Sequence, residues 1–515
     1  MTSSPIPGLP AVSPRPVSVP EHEVQPAPSP WWRIGDFAVL GLWTAVVAFI
    51  LPYHEKWADE AQAWLISRDL PLSQIWFHEL RYEGSPGLWH TILWIAQHVF
   101  HARYDSLGLI GAAGAFAGVA LLIFKAPFPR YIRWPLAFTY FMVYQYAVIA
   151  RPYTLMPLLA FAAAALFKDR NHPERMTVVL VLLANLSLHG TILSACLGSV
   201  YLLDGLRGWS ALDPAVRKRY WISIAVMLAT FVFIVAILKP TPDIEEFVVK
   251  KEFAGLSPGM RAELHVPSVL TKLTTVTSGA FFDWIAPSVA FVCLAAAWCY
   301  SRRCFLVFAL PVGAMIGLYA VIHGAAHHHG TAFVAAIAAL WIGWPSQEEQ
   351  EDLSGSQLRA FRVIAVALIC LCALNIWDAA VIYQHEYKYP YSGAEDAARY
   401  LRSVGADRGP MFGLLFGTVG VQAYFDHNIF GNMPTAYFHH GLPLWGTNLD
   451  VDQLHRVNPE YIVAYSQEPE LMLASGLPLV KAEGYEVVHF SDGYYMYKQG
   501  VFEREVYFIL RRVNR

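Results

Sequence analysis

Two adjacent carboxylates, Asp59 and Glu60, stand in the run His54-Glu55-Lys56-Trp57-Ala58-Asp59-Glu60-Ala61-Gln62-Ala63-Trp64, directly after a strongly apolar segment. They open a stretch whose pattern predicts an amphipathic helix. A carboxylate in the first helical turn is favoured by the helix dipole, and at an apolar–polar boundary it is placed to take a proton from a hydroxyl. An ordinary helix start would select the same residue types for the dipole alone. Further along, Arg81-Tyr82-Glu83-Gly84-Ser85-Pro86-Gly87 and Ala150-Arg151-Pro152-Tyr153 put polar groups at the ends of apolar runs. Arg151 is a lone cation in a turn, where a guanidinium holds a phosphate by paired hydrogen bonds or snorkels toward headgroups. His189-Gly190 and the run His327-His328-His329 occupy later turns. Adjacent histidines on one regular helix or strand cannot all face one ion, so hydrogen bonding of one or two of them to phosphate or sugar is preferred over zinc, and simple interfacial placement over both. The candidate catalytic residues are Asp59 and Glu60. Candidate substrate-binding residues are Arg81, Glu83, Arg151, Tyr153, His189, His327 and His328, and no metal or cofactor is expected.

The elements that must position these groups are membrane helices. Of 515 residues 56% are hydrophobic and only 15% charged, and the apolar residues arrive in runs of about 15 to 22, enough to cross a hydrocarbon core of roughly 30 Å. This excludes a string of soluble domains. A net charge of −3 without a long basic stretch gives no reason for a nucleic-acid partner. Cys196, Cys293, Cys299, Cys304, Cys370 and Cys372 lie in or beside apolar runs at spacings that fit no zinc or redox motif, which reads as small buried hydrophobes.

Residues 1–30 are rich in Pro and Ser and read as a disordered cytoplasmic tail. Residues 31–383 form the transmembrane domain, with about eleven spans placed by apolar runs and by the excess of Lys and Arg in cytoplasmic loops. Trp31 to Leu51 lacks a small-residue cleavage site and is expected to remain as the first helix. Trp134 to Ala150 is expected to be another span, whereas Leu88 to Phe100, short and carrying two histidines, reads as an interfacial helix. The alternation puts the basic loops on the cytoplasmic side and the loops 52–105 and 239–284 outside. Lys250, Lys251, Arg261 and His265 in the second of these read either as a solvated face or as a complement to an anionic lipid phosphate. From 384 to 515 no run is long enough to span, and a helix at Glu395 to Ser403 with short strands at Tyr461 to Tyr465, Glu486 to Phe490, Tyr494 to Tyr497 and Glu505 to Leu510 predicts a small extracytoplasmic α/β domain.

The order Asp59-Glu60-Ala61, Tyr82-Glu83-Gly84-Ser85-Pro86, the basic turn Lys125 to Arg133, Ala150-Arg151-Pro152-Tyr153-Thr154-Leu155 and His189-Gly190 resembles the GT-C superfamily of membrane glycosyltransferases. The similarity is to the bacterial branch of protein O-mannosyltransferases and lipid A aminoarabinose transferases, over Trp31 to Trp344. Ser85-Pro86-Gly87 departs from the family pattern, which often has two prolines there. The resemblance implies transfer of a sugar, with inversion, from a polyprenyl-phosphate donor to a lipid, glycan or protein acceptor on the outer face of the inner (plasma) membrane, without metal. It also implies Asp59 as the catalytic carboxylate and Arg151 as the basic residue near the donor phosphate. A transporter or flippase of lipid-linked sugars would need a polar path through the bundle, and mid-span charges are scarce. A noncatalytic envelope assembly protein is the third reading.

Overall fold

The computed structural model describes residues 30–239, 268–321, 326–438 and 449–513. Residues 1–29 of the Pro- and Ser-rich tail, and the loop residues Lys250, Lys251, Arg261 and His265, lie outside them. Numbering helices of eight residues or more, the chain runs α1 (Pro30–Ile50), α2 (Ala58–Asp69), α3 (Leu88–His98), α4 (Leu107–Lys125), α5 (Arg130–Ala137), α6 (Met156–Leu166), α7 (Pro173–Ala184) and α8 (Leu188–Arg207). It continues through α9 (Pro214–Ile237), α10 (Val269–Ala280), α11 (Ile285–Ser301), α12 (Phe305–Val321), α13 (Gly330–Gly343), α14 (Gly355–Lys388) and α15 (Ala394–Ser403). A sheet follows, made of β1 (Phe412–Leu414), β2 (Tyr461–Ser466), β3 (Tyr485–Met496) and β4 (Phe502–Arg512).

The protein is a polytopic α-helical membrane protein with a small C-terminal sheet. Among the described residues α1, α4, α9 and α14 are long and apolar enough to cross a bilayer, and α10 with α11 forms a pair bent by 74°. Of the other helices, α13 has every residue buried. Where about eleven spans were expected, four helices, or five crossings with the bent pair, have the length and composition to cross among the described residues. Trp134 to Ala150 is not one helix: α5 ends at Ala137, a π-turn spans Phe141–Gln145, and every residue from Phe141 to Ala150 is buried. Its hydropathy reflects burial in protein, which composition alone does not separate from burial in lipid. α3 has 11 residues, about half of what a crossing needs. Cys299 and Cys372 are buried as expected, whereas Cys293 and Cys370 are exposed on their helices.

Two packing features set the site. Gly111, Gly114 and Gly118 line one face of α4, and a Cβ on each would come within 3.1 Å of Ala150, 2.6 Å of Leu155 and 2.9 Å of Leu158. Small residues at this spacing let the backbones approach closely and fix the turn that carries Arg151. The second feature is the covering of α2. Ala58 and every residue from Glu60 to Ser67 are buried, because Val419, Tyr437 and Phe438 of the C-terminal region pack on the face that an ordinary amphipathic helix would leave to water.

The sheet order is β1-β2-β4-β3, with β1 parallel to β2 and the other pairs antiparallel. The two short strands expected between Glu486 and Tyr497 are one strand, β3, interrupted by a bulge between Val487 and His489. That irregularity breaks the alternation from which strands are read. The β3–β4 turn reaches into the helical bundle: Lys498 is buried, with its Nζ 3.0 Å from Asp283 at the α10–α11 elbow and donating to the carbonyls of Gly279 and Phe281.

Candidate active site

Helix α2 begins immediately after α1, and its first turn assigns different surroundings to the two carboxylates. Consecutive helical residues point about 100° apart, so Asp59 and Glu60 cannot share a face. Glu60 is fully buried, and both of its oxygens are occupied. Oε1 accepts the Ala150 N–H at 2.7 Å; Oε2 accepts the Trp57 N–H at 3.3 Å and lies 3.0 Å from His54 Nε2. The other ring nitrogen of His54 lies 2.5 Å from Glu386 near the end of α14, and Glu386 also accepts from Tyr144. One imidazole therefore joins the end of α1, the start of α2 and the end of α14.

Charge fixes this network. Burial alone would lower the pKa of His54, but the carboxylates of Glu60 and Glu386 on either side overcome it and raise it to about 10. Burial likewise pushes Glu60 upward, and His54 with the Ala150 N–H holds it below the usual carboxylate range instead. The charged imidazolium sits between the two carboxylates and ties them together.

Asp59 remains partly exposed and pairs with Arg151, Nη1 to Oδ2 at 2.6 Å. Arg151 also donates to His327 Nε2 at 3.0 Å and lies 5.7 Å over the Trp57 ring and 5.9 Å over that of Tyr153. Arginine only donates, so His327 Nε2 accepts and a neutral His327 carries its proton on Nδ1. That Nδ1 is buried and without a protein partner. Burial, followed by the charge of Arg151, holds the pKa of His327 well below its usual value. Behind this pair the rings of Tyr153, His189 and His328 pack together, with His189 and His328 stacked at 5.0 Å and the Tyr153 hydroxyl 3.3 Å from His189 Nδ1. The two histidine rings leave His189 Nε2 and His328 Nδ1 without protein partners.

Glu83 approaches from the other side of α2. It accepts from Gln62 at 3.0 Å, and burial pushes its pKa up to about 7 against that hydrogen bond, with Glu79 and Asp59 adding to the rise. Arg81 does not join the group: its guanidinium turns back onto the Phe77 carbonyl at 2.8 Å. A cavity of about 440 Å³ opens beside Asp59, with Trp57, Asp59 and His327 on one side and Gln467, Tyr497, Lys498 and Glu503 of the C-terminal region on the other. Among the described residues no three His, Cys, Asp or Glu side chains are arranged to hold a metal ion.

No protein-family model matches the chain, and no curated protein matches it in sequence. Among solved structures it is similar to ArnT from Cupriavidus metallidurans bound to undecaprenyl phosphate, with a TM-score of 0.55 at 15% identity over 94% of this chain and 98% of that one. The chain has the ArnT fold. The apo state of that protein gives a TM-score of 0.49 at 14% identity over 93% of this chain and 98% of that one.

Of the sequence-derived candidates, the structure brings together Asp59, Glu83, Arg151, Tyr153, His189, His327 and His328, walls off Glu60, and leaves Arg81 apart. Sequence reasoning missed Glu386, His54, Tyr497 and Glu503. A carboxylate closing a long apolar helix was a signal for Glu386, since such a group needs a partner. Nothing local pointed to the last two, which arrive from more than 400 residues away.

Proposed function

We propose that the chain is an integral-membrane glycosyltransferase of the GT-C type that moves a sugar from a polyprenyl-phosphate donor to an acceptor on the extracytoplasmic face, with inversion. The observation that carries this reading is the open carboxylate of Asp59, ion-paired with Arg151 and backed by His327 beside a cavity. The ArnT fold supports it, and the ArnT structure holds undecaprenyl phosphate, a lipid of the proposed donor class. In this reading the N-terminus is cytoplasmic, and residues 384–515 form the extracytoplasmic domain.

Asp59 takes the proton of the acceptor hydroxyl as its oxygen bonds to the anomeric carbon. The bond from that carbon to the phosphate oxygen breaks, and its electron pair leaves with the phosphate. Arg151 has five N–H donors and His327 offers Nδ1–H, so both meet the charge that grows on the departing oxygen. Tyr153, His189 and His328 complete the phosphate side, and Glu83, which feels the charge of Asp59, binds donor hydroxyls. Glu60 acts as a positioning residue. Its hydrogen bond from the Ala150 N–H ties α2 to the Arg151 turn, holding base and cation in register.

The test offers the purified chain in lipid nanodiscs a panel of polyprenyl-phosphate sugars with mixed acceptors and measures released polyprenyl phosphate. Release from one donor supports the transferase and names its sugar. Movement of intact donor between leaflets without release would favour a flippase.

A further inference from the structure

On the proposed transferase reading, we infer that the cavity between the helical bundle and the β3–β4 hairpin is the acceptor subsite and that it takes a neutral, hydroxyl-bearing saccharide, not a phosphate monoester. Three observations converge on this.

The first is position. In a single displacement the attacking oxygen and the leaving phosphate lie on opposite sides of the anomeric carbon. The groups suited to a phosphate, Arg151 with Tyr153 and His189 behind it, belong to the bundle side of Asp59. The cavity runs from Asp59 and His327 at its bundle end toward the C-terminal region, and Asp59 borders it directly. An acceptor seated at the Tyr497 and Glu503 end brings a hydroxyl to Asp59 while the phosphate lies against Arg151 and His327.

The second is lining chemistry. Trp57 and Tyr497 contribute aromatic surface, while Gln467 and Glu503 contribute an amide and a carboxylate. Aromatic faces cover the apolar C–H faces of a sugar, and planar amide and carboxylate groups hydrogen-bond its hydroxyls. Glu503 sits on β4 opposite Tyr495 of β3, so its placement depends on the hairpin register.

The third is charge. Among the described residues the only Lys or Arg lining the cavity is Lys498, and its ammonium is committed to Asp283 at 3.0 Å, Asp378 at 3.8 Å and two backbone carbonyls. A phosphate monoester would therefore meet the Glu503 carboxylate with no free cation in the lining, the charge of Arg151 being already paired with Asp59, and like charges at close range repel. A neutral polyol meets hydrogen-bonding partners instead. The committed Lys498 has a different duty: it pins the hairpin to the α10–α11 elbow, so the wall carrying Glu503 is fixed relative to Asp59.

Binding is tested first, without catalysis. Saturation-transfer NMR on the full chain in nanodiscs compares a panel of neutral methyl glycosides with the matching sugar 1-phosphates, in the wild type, Gln467→Ala and near-isosteric Glu503→Gln, with unfolding midpoints as the folding control. Expected is binding of at least one neutral glycoside, weakened roughly tenfold or more in both variants at unchanged midpoint. Preference for the 1-phosphates, or no glycoside binding, would overturn the inference. In the release assay the bound glycoside should accelerate polyprenyl phosphate release, and Glu503→Gln should raise the acceptor KM while leaving the donor KM unchanged. A shift in the donor KM instead would assign the cavity to the donor sugar. Release without glycoside binding would sink this inference and leave the transferase standing; glycoside binding without release from any donor would do the reverse.

Discussion

Asp59 and Glu60 are neighbours in sequence and opposites in surroundings. Glu60 has no solvent exposure, two occupied oxygens and a charged imidazole bridging it to Glu386. Asp59 faces a cavity and shares one arginine with a histidine whose other nitrogen is uncommitted. A buried carboxylate whose two oxygens both hold the fold together cannot take a substrate proton without loosening its own support; one at a cavity edge can. The contrast separates holding the site from working in it, and it arises from a single 100° step along α2.

Substitutions that interchange these duties give the largest effects. Asp59→Asn should lower polyprenyl phosphate release by about 10² to 10⁴, the usual contribution of a general base, while the unfolding midpoint stays within a few degrees. Glu60→Ala should instead act on the fold. Removing one partner of a buried charge network costs about 3–5 kcal/mol, so a thermal scan should show a large drop in midpoint, with activity falling in proportion to folded protein. Arg151→Lys keeps the charge but loses the fork that reaches Asp59 and His327 together; kinetics should show a loss of about 10² in kcat with little change in midpoint.

The two regions also differ with pH. The folded pKa of His54 is raised to about 10 from 6.5, so the folded state binds more protons than the unfolded one between those values. Its stabilisation is complete below about 6.5 and is lost as pH rises toward 10. Glu60, held below its usual value, contributes stability above the unfolded carboxylate pKa that is lost in acid. Midpoints measured from pH 6 to 10 should fall progressively in the wild type and much less in His54→Gln. The smallest effect belongs to Arg81→Ala, where only a contact to Phe77 is lost: a change within about 0.5 kcal/mol and unaltered release. Strong loss of release in that variant would extend the working region beyond the Arg151 cluster.

Much of this arrangement was legible in the sequence. The apolar run Trp31 to Leu51 located α1 (Pro30–Ile50) to within one residue at each end, because hydropathy reports removal from water. The same property misread Trp134 to Ala150, where the burial is inside protein. Asp59 and Arg151 were visible as charged residues at apolar boundaries, and the glycine face of α4 helps seat the turn that carries Arg151. What separates Asp59 from Glu60 was not legible: both are acids in one helical turn, and only the approach of Ala150, His54 and the C-terminal cover over α2 distinguishes them. Those contacts join segments between 6 and more than 350 residues apart in sequence, which no local pattern encodes.

In the proposed reaction one open carboxylate acts as base in a direct displacement while its neighbour is structurally sealed. A retaining mechanism would need a carboxylate nucleophile and a second acid–base group working with it, and the occupied oxygens of Glu60 exclude it from that partnership. The most direct measurement is the anomeric configuration of the transferred sugar, read by NMR on the product and compared with that of the donor. Inversion is expected. Retention would contradict it, because it would require a covalent glycosyl intermediate where Asp59 is assigned only a proton.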